Sequence, residues 1–286
     1  MSLPNHAKRK LAHDPYREFR QAVDRGEDQI DLGRAALTIA LTDYPNLDIS
    51  AYLSRIDQLA MEVTGRCHGG EIFQALAALN DVLFQQHGFR GNGDDYYDPR
   101  NSFLNQVLER KTGIPITLSI LYVEVARRIG VVLKGVGFPG HFLVKHSGDG
   151  TEIVIDPFSQ GEIKSRADLA RMLGGMYGGA VELCDEHLRP AGKRDILRRM
   201  LGNLKGIYAK ANDLVKLLAV LDQAIILEPA ASDEIRDRAA IYLRLECFAQ
   251  ARADFETYLR LAPEAKDAAA VRERLIDLAK QVTLIH

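Results

Sequence analysis

The chain has 286 residues, of which 47% are hydrophobic and 27% charged, with a formal net charge of -2. At roughly 150 residues per domain this is enough for about two globular domains with sizeable cores, and the near-neutral balance supplies no global field for nucleic acid or an anionic membrane. Three cysteines without paired spacing, Cys67, Cys184 and Cys247, exclude a disulfide framework and a CxxC metal site.

Leu3 to Pro15 reads as a polar, basic arm. No apolar segment follows Lys8-Arg9-Lys10, and no run of ~18 apolar residues could span a bilayer. The expectation is a cytoplasmic protein with no membrane partner. Tyr16 to Gly26 fits a short helix. Asp31 to Thr42 carries Leu32, Ala35, Ala36, Ile39 and Ala40 at amphipathic spacing. Tyr44-Pro45-Asn46 then breaks the chain. Further helices are expected over Ile49–Val63 and Gly70–Gln86. Glycines 88, 91 and 93 open a loop that ends at Asp98-Pro99-Arg100. Asn101–Arg110 reads as a short helix, and Ile116–Ile129 as a long apolar one that Gly130 terminates. Val132 to Phe138, His141 to His146 and Thr151 to Asp156 are short β-rich runs, the last two joined by a hairpin turn at 147–151. Helices followed by strands make an α+β layout.

From Asp195 the chain is helical again and repeats itself. Pro229 and Pro263 are 34 residues apart, and at that offset Ile207 meets Ile241, Tyr208 meets Tyr242, Ala219 meets Ala253, Leu221 meets Phe255 and Leu227 meets Leu261. A 34-residue period closed by proline is the tetratricopeptide pattern. The expected division is 1–95 helical, 96–190 core and 195–286 repeats.

The middle of the chain carries the parts of thiol acyl-transfer chemistry. Such chemistry needs a nucleophile at a helix start, a His to take its proton, and a carboxylate or amide to orient that His. Gly113-Ile-Pro-Ile-Thr opens a helix, His141 precedes a strand after Phe138-Pro-Gly, and Asp156 ends the next strand. A hairpin lets His141 and Asp156 face each other.

Three segments make the resemblance specific: Asp98-Pro-Arg-Asn-Ser-Phe-Leu-Asn-Gln-Val-Leu-Glu-Arg, Gly113-Ile-Pro-Ile-Thr-Leu-Ser and Gly135-Val-Gly-Phe-Pro-Gly-His-Phe-Leu-Val. They resemble the SirB1 family of transglutaminase-like proteins with tetratricopeptide repeats. A related segment occurs in an animal F-box protein. The resemblance covers most of the chain and implies a transglutaminase-like, papain-like core between N-terminal helices and C-terminal repeats. It matches His141 and Asp156 to the core His and Asp, and its name implies a regulatory role. The nucleophile does not carry over: counting back from Gly130, its position falls on Pro115, with Ile116 and Thr117 beside it. None is a thiol.

Thr117 and Ser119 lie near the helix start, but a hydroxyl needs stronger activation than a thiol, and an early-turn Thr often bonds its own backbone. Cys67, in Arg66-Cys67-His68, belongs to the preceding helices. Asp98, Arg100, Asn101 and Asn105 are either a helix cap with a buried Arg100 ion pair or, with Thr117, Ser119 and Gly140, the lining of the cleft that His141 faces. His141, His146, Asp149 and Asp156 match no metal motif, and the basic clusters lack interleaved aromatics. The expectation is a degenerate module without metal or cofactor that binds a protein or peptide partner through its repeats. The alternative is a hydrolase or acyltransferase using His141 and Asp156 with another nucleophile or an activated water.

Overall fold

The computed structural model describes residues 14–67, 71–148 and 150–284. The expected arm up to residue 13, His68 and Asp149 lie outside the described residues. The chain divides into two compact units, Met1–Met200 and Leu201–His286, so the helices before residue 96 share a unit with the core.

The first unit opens with α1 (Pro15–Val23), α2 (Leu32–Ile39) and α3 (Ile49–Thr64). Each has an aspartate N-cap: Asp14 accepts from Tyr16 N–H, Asp31 from Arg34 N–H and Asp48 from Ala51 N–H. Pro15 therefore belongs to α1, at its first position, rather than to an arm. Next, α4 (Ile72–Asn80) runs into a π-helical stretch, Asp81–Gln86, where one continuous helix is expected. The change falls after Asn80, whose side chain is held in place. It accepts from the Tyr122 hydroxyl at 2.9 Å and donates to the Gly161 carbonyl at 3.1 Å.

A 3-10 turn, Pro99–Ser102, leads into α5 (Leu104–Arg110), and α6 follows (Pro115–Arg128). Two-residue strands, β1 (Arg90–Gly91) and β2 (Thr112–Gly113), pair in parallel ahead of it; neither is expected from the pattern. Almost the whole first three turns of α6 are buried, as expected of a helix that is apolar on most faces. Its one buried acid, Glu124, is paired with Arg127 and Arg128.

The sheet is antiparallel, in the order β3 (Lys134–Val136), β4 (Leu143–Gly148), β5 (Thr151–Asp156), β6 (Glu162–Lys164). Val144 pairs with Ile155 and Gly148 with Thr151, which fixes the expected hairpin. One sheet-side core gathers Val136, Phe138, Leu143 and Val154 with Leu169 and Leu173 of α7 (Arg166–Tyr177) and with Leu188. His146, expected in solvent, is half-buried, and its Nδ1 lies 3.1 Å from the Val132 carbonyl.

Gly161 adopts φ +78°, and a Cβ there would lie 1.9 Å from Asn80 Oδ1. Gly161→Ala should therefore cost about 2 kcal/mol, from left-handed strain and the displaced Asn80 contacts. A thermal midpoint equal to that of the wild type would contradict this.

The helix α8 (Lys193–Ala211) contains the boundary between the units. The second unit continues with α9 (Leu214–Leu227), α10 (Ser232–Arg244), α11 (Phe248–Leu261) and α12 (Ala268–Leu284). The 34-residue offset is kept in the backbone. Asn212 and Glu246 both take positive φ, and Asp213 N–H and Cys247 N–H donate to Tyr208 and Tyr242 carbonyls. Cys247, which matches no repeat-defining position in the sequence, is the helix N-cap equivalent to Asp213. The core of this unit includes Ile235, Ala239, Phe255, Tyr258 and Val271. Leu227 is buried, whereas its repeat counterpart Leu261 is exposed.

Candidate functional site

Gly140 takes φ +68° and turns the chain into His141, whose N–H donates to the Phe138 carbonyl. Asp156 ends β5, and Pro157–Ser159 forms a 3-10 turn packed on α6. The hairpin therefore delivers both side chains to one place: His141 Nε2 lies 2.9 Å from Asp156 Oδ1, and both residues are buried. With Nε2–H donating to the carboxylate, the lone pair of a neutral ring would lie on Nδ1.

Asp156 Oδ1 also accepts from Phe158 N–H at 3.0 Å and Ser159 N–H at 3.4 Å, and Oδ2 accepts from the Ser159 hydroxyl at 2.9 Å. Burial is the strongest single influence on this carboxyl and opposes its ionisation. The His141 bond and charge, the Ser159 hydroxyl and Lys164 together outweigh it, holding the carboxyl below its usual range. Phe158 stands edge-on to the His141 ring at 5.8 Å. The Phe158 ring also covers Gly91, where a Cβ would lie 2.5 Å from it. Gly91 pairs with Gly113, two residues before Pro115.

At the start of α6, Pro115 occupies the first helical position. The Thr117 hydroxyl is fully committed: it donates to the Asn101 carbonyl at 2.7 Å and accepts from Ile114 N–H at 3.2 Å. It is completely enclosed, as is Ser119, whose Oγ has no hydrogen-bond partner among the described residues. No thiol or hydroxyl among the described residues hydrogen-bonds to the His141 ring. Cys67 sits at the end of α3, its N–H bonded to Val63 and Thr64 carbonyls.

The polar cluster before α6 is chiefly a clamp. Asp98 caps the Pro99–Ser102 turn through Arg100 N–H and pairs with both Arg100 and Arg110. The carboxylate is the buried member, since the Arg100 side chain is 56% exposed; the expected buried arginine is instead an exposed one over a buried acid. Burial acts most strongly on the Asp98 carboxyl and opposes ionisation, but the two arginines still bring it below the ordinary range. Asn101 joins three segments. Its Nδ2 donates to the Asp95 carbonyl at 2.7 Å, its Oδ1 accepts from Asn92 and Arg110, and its carbonyl takes the Thr117 hydroxyl. Asn101, Asn105, Thr117 and Ser119 are buried to 1% exposure or less. They are enclosed in the interior rather than exposed on a surface, because each sits on an inward face of α5, α6 or the preceding turn. Of the expected lining, Arg100 and Gly140 reach the surface.

Sequence reasoning does not place Phe158, Ser159 or Arg199 at this site; Arg199 figures there only in the basic cluster with Lys193, Arg194 and Arg198. Arg199 Nη2 donates to the carbonyls of His141 at 2.6 Å and Phe138 at 3.2 Å, and so holds the loop that carries His141. Its sequence signal is only that it lies among the buried positions Ile196, Leu197 and Met200.

A family model described as the transglutaminase-like superfamily matches residues 50–202, and a tetratricopeptide-repeat model matches residues 204–276. A UPF0162 protein of Xylella fastidiosa is 37% identical over 264 residues, covering 91% of this chain and 94% of the relative. A UPF0162 protein of Vibrio cholerae is 32% identical, covering 71% of this chain and 76% of the relative. F-box only protein 21 of Mus musculus is 37% identical over 139 residues, which are 46% of this chain and 21% of that protein. With the matched core holding the His141–Asp156 pair and the repeats following it, the chain belongs to the transglutaminase-like superfamily, among the UPF0162 proteins.

Proposed function

We propose that this protein is a regulatory module that binds a protein or peptide, built on a transglutaminase-like core that no longer performs thiol acyl transfer. One observation carries the reading: the start of α6 offers Pro115, Ile116 and a Thr117 hydroxyl already bonded on both sides. A hydroxyl so committed is not available for deprotonation by His141. The His141–Asp156 pair then serves to shape and fix the loop it sits in. We read the SirB1-like motifs as ancestry with a regulatory role, exercised in the cytoplasm.

The partner surface we assign to the repeats, since stacked helical hairpins expose grooves for extended segments. A cavity of about 460 Å³ in the second unit is lined by Arg236, Asp237 and Ala240 of α10 and by Ala270, Arg274 and Asp277 of α12. Filling it with Ala240→Arg and Ala270→Arg should abolish capture of the partner by the full chain without changing its thermal midpoint. Undiminished capture by a folded double variant would remove the repeats from the account.

A second reading keeps catalysis, because the 2.9 Å His141–Asp156 bond leaves Nδ1 able to take a proton from water. It predicts turnover of an ester or amide that His141→Ala abolishes.

A further inference from the structure

Arg199 holds the His141 loop, but two carbonyls leave its charge uncompensated. Among the described residues it has no carboxylate partner, and its Nε–H and both Nη1–H groups donate to nothing. Its guanidinium lies 5.4 Å from the centre of the Phe142 ring. Burial is the main influence on it and works against its positive charge, and the nearby phenols of Tyr96 and Tyr177 act on it electrostatically in the opposite sense without hydrogen-bonding to it. A half-buried guanidinium with spare donors and no acid is an unusual arrangement, because arginine in such a place ordinarily finds a carboxylate.

Gly137 stands beside it, and Gly140 stands against Met176 and Tyr177. A Cβ at Gly137 would lie 3.4 Å from Arg199 Nη1, and one at Gly140 would lie 2.7 Å from Met176 Sδ and 3.3 Å from the Tyr177 hydroxyl. Both glycines are exposed. Tyr96, Met176 and Tyr177 are themselves 37%, 44% and 40% exposed. Asn101 fixes the Tyr96 side of this rim by donating to the Asp95 and Tyr96 carbonyls. The result is an apolar, aromatic rim around one unpaired cation, at the loop that bears His141.

We propose that this mouth binds the carboxylate of a peptide, with the acid on Arg199 and a neighbouring apolar side chain against Tyr96, Met176 and Tyr177. The acid can be a Glu or Asp side chain or a free C-terminus. The spare guanidinium N–H groups supply charge-assisted bonds, and the rings supply apolar contact. This site lies wholly in the first unit and goes beyond the repeat-borne binding proposed above.

Three peptides test it on the full chain: N-acetyl-Phe-Ala-Glu-amide, N-acetyl-Phe-Ala-Gln with a free C-terminus, and N-acetyl-Phe-Ala-Gln-amide. The readout is the 13C-methyl resonance of Met176, assigned with Met176→Leu. At least one acidic peptide should shift it saturably and bind about tenfold or more tightly than the neutral one; which acidic peptide does so identifies the source of the carboxylate. Arg199→Gln should erase that preference, Arg199→Lys should keep part of it, and Tyr177→Ala should weaken all binding while preserving it. Ala270→Arg should leave it unchanged, so failure of the repeat groove and failure of this site are separable. Equal binding of the three peptides, or no Met176 shift with any of them, would overturn the proposal even if Arg199→Gln does not fold.

Discussion

Replacing Asp156 with alanine is expected to destabilise the first unit by about 3 kcal/mol, seen as an earlier thermal transition. The carboxylate is 1% exposed, and four donors converge on it: His141 Nε2, the N–H groups of Phe158 and Ser159, and the Ser159 hydroxyl. Alanine leaves all four without their acceptor. Asparagine keeps an acceptor of the same shape, so its loss should be nearer 1 kcal/mol. The pH dependence has a definite sign. The folded-state carboxyl is held below its ordinary range, against a burial effect that is larger than any single favourable one. Its contribution is therefore fully present above the unfolded carboxyl pKa of about 4 and disappears as pH falls through the lower folded value. The advantage of wild type over Asp156→Asn should shrink as the solution is acidified below about pH 4. An advantage that stays constant to low pH would show that the charge of Asp156 contributes nothing.

Arg238→Ala should cost the second unit a similar amount, about 3 kcal/mol. Arg238 makes two 2.8 Å bonds to Asp254 and a 2.7 Å bond to Asp222, tying α10 to both α11 and α9. Asp254 is the reason for the size of the effect. Its side chain is only 11% exposed, so removing the guanidinium strands a buried carboxylate. The Asp254 bond is the foremost influence on Arg238 and raises its affinity for the proton, which outweighs the effect of its burial. Arg238 also lies over the Tyr242 ring at 5.9 Å. Arg238→Ala/Asp254→Ala should recover part of the loss, because the double variant has no stranded charge at position 254. If the single and double variants melt alike, the cost belongs to lost packing and not to the ion pair.

What could be read from sequence divides along the range of the interactions. The His141–Asp156 contact was legible because a hairpin has a fixed register, and the order of helix start, His and Asp carries meaning by itself. The repeats were legible because a 34-residue period leaves paired residues such as Tyr208 and Tyr242. Their turns were not: Asn212 and Glu246 share positive φ but not chemistry. The burial of Asn101 and Thr117 was hidden for a related reason. Polar residues near a helix start look like cleft or cap until one sees that the Thr117 hydroxyl is spent on a carbonyl sixteen residues away. Arg199 was the least visible. It lies 58 residues from His141 and acts on its backbone oxygen, a contact that no local pattern encodes.

These contacts recast what the retained pair does. In a thiol enzyme the carboxylate orients a His that serves a nucleophile. Here Asp156 orients His141 and caps the Pro157–Ser159 turn, while Arg199 holds the same loop from behind. Both members of the pair are thereby tied into the fold, while the Thr117 hydroxyl at the start of α6 is already hydrogen-bonded.

The most direct measurement is mass-spectrometric mapping of the full chain after treatment with iodoacetamide and with an acyl-phosphonate probe, for wild type and His141→Ala. The account predicts that only the cysteines react, with exposed Cys184 ahead of half-buried Cys67 and Cys247, and that His141→Ala leaves the pattern unchanged. A stoichiometric adduct on any residue of the core that vanishes in His141→Ala would contradict it.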